Sequence, residues 1–184
     1  MLGGAVMAAA LVFLQAGGQA GLKARETAYA RVPLADRIGG DPDLVKAIVA
    51  KNTAVESPAD IRRLDEDWQR NPASPLRKSL TSGPCAERLR KLIQDDKLVV
   101  EAFLMDERGG LVCSTVVTSD YWQGDEAKWQ KTYRDGTQVF VDDPALDPST
   151  GTFAVQLSRI VADAHGKIGA LTLTLKVPRS SLAR

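Results

Sequence analysis

Residues 98–117 read LVVEAFLMDERGGLVCSTVV. Leu98 to Met105 and Leu111 to Val117 are rich in apolar and β-branched residues, and Asp106-Glu107-Arg108-Gly109-Gly110 between them supplies glycines able to take positive φ. The pattern predicts an antiparallel hairpin. Downstream, Phe153, Val155 and Leu157 alternate with Ala154, Gln156 and Ser158, and Leu171, Leu173, Leu175 and Val177 alternate with Thr172, Thr174 and Lys176. A period of two marks two further strands, joined by a turn at Asp163-Ala164-His165-Gly166-Lys167. A shorter strand over Thr137 to Val141 completes a set of five.

Upstream the period is helical. Asp41 followed by Pro42 is an N-cap with proline at the first helical position, and Leu44, Val45, Ile48 and Val49 then share one face. Ser57, Pro58 and Asp60 repeat the device as a capping box ahead of Ile61, Leu64 and Trp68, and Asn71-Pro72 ends that helix. Ser82-Gly83-Pro84 starts a third, with Leu89, Leu92 and Ile93 as its apolar stripe. No linker or repeat separates the halves, so the reading is one α+β domain over residues 21–184, with a helical lead-in over 41–96 and a sheet over 97–178. Two strands, a connecting segment and three more strands give a PAS-like five-stranded antiparallel sheet, whose buried face the N-terminal helices cover. Another helix-on-sheet α+β fold is the alternative.

The chain has 184 residues, 26% of them charged, with both signs intermixed and a formal net charge of +1. It lacks the basic face that phosphate backbones require, which sets nucleic acid aside as a partner. Residues 1–20 carry no charged side chain, and the apolar run from Ala5 to Leu14 has the length of a signal-peptide core but not of a membrane span. Gly18 and Ala20 suit cleavage after Ala20, with Ala16 and Ala24 as alternatives. Export to the periplasm or medium follows. Cys85 and Cys113 are then either one bridge or two buried thiols.

Catalytic residues are not evident. The single histidine, His165, falls in a turn with no Ser or Cys nucleophile beside it, and two separated cysteines do not form a transition-metal site. No phosphate-cradling glycine loop occurs. Asp142, Asp143 and Asp147 lack the pattern of a calcium loop and read as turn residues. The expectation is a protein that is no enzyme and uses neither cofactor nor metal.

One block stands apart, TSDYWQGDEAKWQKTY at 118–133. It concentrates Tyr121, Trp122, Trp129 and Tyr133 in a chain that is 5% aromatic, interleaved with Asp120, Asp125 and Lys128. Apolar walls with a few orienting polar groups are what a small-molecule pocket needs, and these seven residues are the candidate ligand-binding set. Aromatic residues at helical spacing also read as plain core, and the two readings make different demands on Trp129. From Asp120 to Asp147 seven acids face three bases, which favours an amine-bearing ligand, while Lys128 leaves a carboxylate open.

The EAFLMDERGGLVCST hairpin, the TSDYWQGDEAKW block and VQLSRIVADAHGKIGALTL at 155–173 resemble the PDC, or Cache, sensor domains, within them the short exported proteins of this type. The resemblance implies an extracytoplasmic receptor for a small metabolite, held between the sheet and the segment joining strands two and three. Many members sit between transmembrane helices and are fused to an output module. Here the resemblance implies a sensor without its own output module, acting through a membrane-bound signalling partner. The alternative is a structural or partner-binding protein on the same fold. The amino-acid-sensing members carry Arg shortly before a Trp-Tyr pair, whereas here Tyr121 precedes Trp122 with no Arg between Arg108 and Arg134. The helix over 41–54, if it stands outside the covering layer, supplies a homodimer contact.

N-terminal sequencing of the exported protein is expected to begin near Gly21; full-length chain retained in the cytoplasm would refute the leader.

Overall fold

The computed structural model describes residues 21–54, 56–147 and 152–177; the expected leader, 1–20, lies outside them. Residues 21–29 are helical (α1). There follow α2 (Val32–Gly39), α3 (Pro42–Thr53), α4 (Pro58–Arg70), α5 (Pro75–Ser82) and α6 (Pro84–Ile93). Their starts are set by chemistry visible in the chain. Asp41 accepts from Leu44 N, Ser57 and Asp60 cap each other reciprocally, and each of α2 to α6 has proline in its first turn. Ser74 caps α5, which the periodicity had not separated from its neighbours.

The strands are β1 (Val99–Met105), β2 (Leu111–Ser114), β3 (Val139–Val141), β4 (Ala145–Asp147), β5 (Thr152–Asp163) and β6 (Gly166–Lys176). All pairings are antiparallel, in the order β2-β1-β6-β5-β3, with β4 adding a short sixth strand against β5. The fold is the expected α+β, PAS-like arrangement. At the hairpin, Gly109 takes φ 83°, and a Cβ there would also meet Gly124 Cα at 2.5 Å. Gly169 lets β6 approach β1: a Cβ there would lie 2.2 Å from Met105 O.

The sheet is covered on both faces, not on one as expected. Val99, Ala102, Leu104, Val155, Leu157, Leu171, Leu173 and Leu175 face α2, α3 and α6, which contribute Ala35, Ile38, Leu44, Ile48, Ala86 and Leu89. Helix α3 therefore belongs to the covering layer and does not stand outside it, as the homodimer expectation required; Val49 remains on its exposed side. On the reverse face Phe103, Met105 and Ala170 pack with Trp68 and Tyr121. Beside them Glu101, Ser158, Thr172 and Thr174 are buried polar residues tied to one another: Ser158 and Thr172 hydroxyls lie 2.9 Å apart, and Thr174 Oγ1 donates to Glu101 Oε2 at 2.6 Å. This mixed second face is why β6 reads as simple alternation in the sequence although both its sides are buried.

Cys85 of α6 and Cys113 of β2 form a disulfide across 28 positions, with Cα atoms 5.9 Å apart. Closing a loop of that length removes about 3–4 kcal/mol of unfolded-chain freedom in the entropic account. Reduction, or Cys85→Ser with Cys113→Ser, should lower the melting temperature by several degrees without altering the far-ultraviolet dichroism; an unchanged midpoint would mean the bridge adds nothing.

Candidate functional site

After β2 the chain crosses onto the reverse face and is pinned to the hairpin by main-chain bonds. Leu111 N donates to Tyr121 O at 3.1 Å and Gln123 N to Gly109 O at 2.8 Å, around a Gly110–Trp122 bridge. Both indole nitrogens of the block bind the same turn: Trp122 Nε1 donates to Arg108 O at 2.8 Å and Trp129 Nε1 to Asp106 O at 3.1 Å. Helix α4 holds the other side, where Asp65 Oδ1 accepts from Tyr121 N and Trp122 N at 2.9 and 3.0 Å and Trp68 Nε1 donates to Thr118 O at 2.9 Å. Residues Ala127–Trp129 (α7) then run into a π-helical turn at Gln130–Arg134.

Between this segment and the sheet lies a cavity of about 400 Å³. Its floor is Phe103, Glu101, Ala154 and Gln156; its cover is Thr118, Ser119, Asp120, Gln123, Glu126 and Lys128; Asp142, Asp143 and Ala145 close one side. Five carboxylates thus face one lysine. That lysine is already engaged: Lys128 is almost wholly buried, pairs with Glu126 at 3.0 Å and sits 5.3 Å from the Phe103 ring centre. Asp120 accepts from Gln69 and from Ser119, and Asp143 pairs with Arg25 of α1 at 3.0 Å. Gln123, 1% exposed, donates from Nε2 to Asp120 O, and its buried Oε1 has no hydrogen-bond partner among the described residues.

Of the seven residues marked in the sequence, Asp120 and Lys128 line the cavity. Tyr121 is fully buried, 6.3 Å from Trp68 between ring centres, and its hydroxyl donates to Glu56 Oε2 at 3.2 Å. Burial first, then the Glu56 and Asp106 carboxylates, push that hydroxyl far above the usual tyrosine range. Trp122, Trp129 and Tyr133 are half-buried against the same cluster, the last two stacked at 5.4 Å. Asp125 is exposed. The lining that sequence reasoning missed comes from three distant places: Glu101, Phe103 and Gln156 on the strands, Gln123 within the block, and Asp142-Asp143 after β3. Glu101 did carry a signal, being a lone charge in an otherwise apolar strand.

No family model matches the sequence, and no curated protein is significantly similar to it. Solved structures are. The sensor domain of the V. cholerae histidine kinase DctB aligns at 16% identity with TM-score 0.50, over 97% of this chain and 58% of that one. The extracellular domain vpHK1S-Z8, classed with the histidine kinases, aligns at 12% identity with TM-score 0.50, over 96% and 62%. The Campylobacter jejuni chemoreceptor Tlp3 ligand-binding domain, solved with L-norvaline, gives 15% identity and 0.43 over 86% and 61%. The chain thus spans less than two thirds of the length of each. The fold is that of extracellular sensor domains, in agreement with the PDC or Cache resemblance carried by the hairpin and the block. Among the described residues no helix is long and apolar enough to cross a membrane.

The turn that anchors the block contains a carboxylate with an unusual burden. Asp106 is 1% exposed, its Oδ1 accepts from Arg108 N and Gly110 N, and its Oδ2 has no hydrogen-bond partner among the described residues. Burial raises its pKa above the ordinary carboxylate range, more than the two amides and Lys51 lower it. The native state therefore binds this proton more readily than the unfolded chain, and stability from this group falls as pH rises from the unfolded pKa through the folded one. Asp106→Asn keeps the Oδ1 acceptor and removes the charge. Denaturant titrations should show the variant gaining on the parent at pH 7 relative to pH 3; an identical difference at both values would refute the assignment.

Proposed function

We propose that this chain is an extracytoplasmic sensor domain that takes an amine-bearing small metabolite into the cavity beneath the Thr118–Lys128 segment. The observation that carries the reading is the charge of the lining: five carboxylates around about 400 Å³, with the sole lysine engaged by Glu126. A cavity of that size suits a small metabolite, and a set of acceptors calls for a donor. Asp120 and Asp142 are the groups to receive an ammonium, with Phe103 as the apolar floor. Lys128 orients Glu126 and leaves a carboxylate ligand little to bind.

The same geometry offers a way out for the signal. An ammonium competes with Arg25 for Asp143 and with Gln69 for Asp120, so occupancy bears on α1 and α4, the elements those partners belong to. The similar sensor domain of DctB belongs to a histidine kinase, which supports a membrane-bound signalling partner as the reader of that change. Export through the apolar run before Gly21 is part of the proposal.

A thermal-shift panel of primary amines, amino acids and dicarboxylates distinguishes the cases, because a ligand specific to the native state raises the melting temperature with its concentration. Amine-bearing members are expected to raise it. For a hit, Asp120→Asn should weaken binding about tenfold by calorimetry, the scale of one hydrogen bond to a charged group, while Asp125→Asn changes nothing. Stabilisation by dicarboxylates alone would refute the amine reading, and no stabilisation by any member would favour a partner-binding role.

A further inference from the structure

We propose that the chain carries a second small-molecule site, for an apolar or aromatic carboxylate, in the groove between the start of α4 and Trp122. The groove encloses about 460 Å³ and is lined by Glu56, Pro58, Ile61, Arg62, Arg108 and Trp122. It shares no residue with the cavity under the block.

Its walls are apolar. Pro58 and Ile61 form one side, and Trp122 forms the other; the one polar atom of that indole already donates to Arg108 O, so what it offers the groove is hydrocarbon surface. The polar groups are few and their charges do not cancel. Glu56 is neutralised within the protein, by the ion pair with Lys51 and by the Tyr121 hydroxyl. Arg108 uses Nη2 for Glu107 at 3.0 Å and for Asn52 O at 3.4 Å, while its buried Nη1 has no hydrogen-bond partner among the described residues. Arg62 is exposed, and among the described residues it makes no hydrogen bond or ion pair. The charge left uncompensated is cationic, and it is guanidinium, whose planar fork matches a carboxylate.

An apolar slot with one free guanidinium at its rim selects an anion attached to a flat or branched hydrocarbon. A cation is repelled, and a strongly hydrated anion without an apolar body gains nothing from Pro58, Ile61 and Trp122. The site lies on the other side of the chain that closes the cavity: Trp122 lines the groove, whereas Asp120 and Gln123 line the cavity. A ligand in the groove therefore bears on the cover of the first site through a single residue step.

The probe is naphthalene-2-carboxylate, compared with naphthalene-2-carboxamide and 2-naphthylmethylamine, titrated into the full protein by calorimetry. The indole N–H signals of Trp68, Trp122 and Trp129 are followed in parallel by nuclear magnetic resonance. The carboxylate should bind about tenfold tighter than the amide, the amine more weakly still, and the Trp122 signal should move most. Arg62→Gln, an exposed position, should bring the carboxylate to within about twofold of the amide while leaving the amide unchanged. Equal affinity for all three probes, no binding of the carboxylate at millimolar concentration, a Trp122 signal that stays fixed, or an Arg62→Gln protein with undiminished preference would each overturn the site.

Discussion

The strand at the centre of the sheet must be covered twice. β6 is paired on both edges, with β1 and with β5, and its residues from Ile168 to Leu175 are buried without a break. Helices α2, α3 and α6 supply cover for Leu171, Leu173 and Leu175 but lie on one face. Thr172, Thr174 and the adjoining Glu101 and Ser158 on the other face need both shelter and hydrogen-bond partners, since an unsatisfied buried polar group costs more than a formed bond returns. They satisfy part of that need among themselves. The rest of the shelter is the Thr118–Arg134 segment, which explains why it is held to the hairpin by two main-chain bonds and two indole N–H bonds.

Most of the scaffold was legible because its signals are local. Asp41-Pro42 and Ser57-Pro58-x-Asp60 each announce a helix start within four residues, and the glycines after Asp106 announce a turn whose φ at Gly109 is 83°. Elements whose existence depends on a partner were not legible. β4 is three residues long and exists through pairing with β5, in a stretch whose Asp-Pro pairs read as turns. The second cover of β6 was hidden because threonine alternating with leucine looks the same whether the threonines meet water or a buried glutamate.

The candidate site divides along the same line. Four aromatic residues within thirteen positions marked the segment that covers the cavity, yet which of its residues meet that space is decided by the bridge between Gly110 and Trp122. That register puts the Tyr121 ring against Trp68 and leaves Asp120 and Gln123 on the cavity side. Glu101 and Gln156 join them from strands 55 positions apart in the chain, and Asp142 from the stretch after β3, a convergence no local pattern encodes. The aromatic side chains hold the segment in place, and the polar residues between them face the space it encloses.

Charge is distributed unevenly across this one segment. The cavity side gathers carboxylates, among whose partners are the Gln69 amide, the Thr174 and Ser119 hydroxyls, Arg25 and the buried Lys128; the groove side carries guanidinium with partners for only part of it. Under the two proposals, ligands of opposite sign on opposite sides of the same few residues would interact through the cover they share, each shifting the other only to the extent that it prefers one position of that cover. The contacts that fix the cover set the scale of such coupling. The Asp65 carboxylate binds the Tyr121 and Trp122 amides together, so a displacement of Trp122 from the groove side is transmitted through Asp65 to α4 and along the chain to Gln123, one residue on, and Asp120, two residues back. The rest of the fold, fixed by the Cys85–Cys113 bridge and the helix-covered face, lies outside that path, and this confines any exchange between the two sites to the edge where the block meets α4.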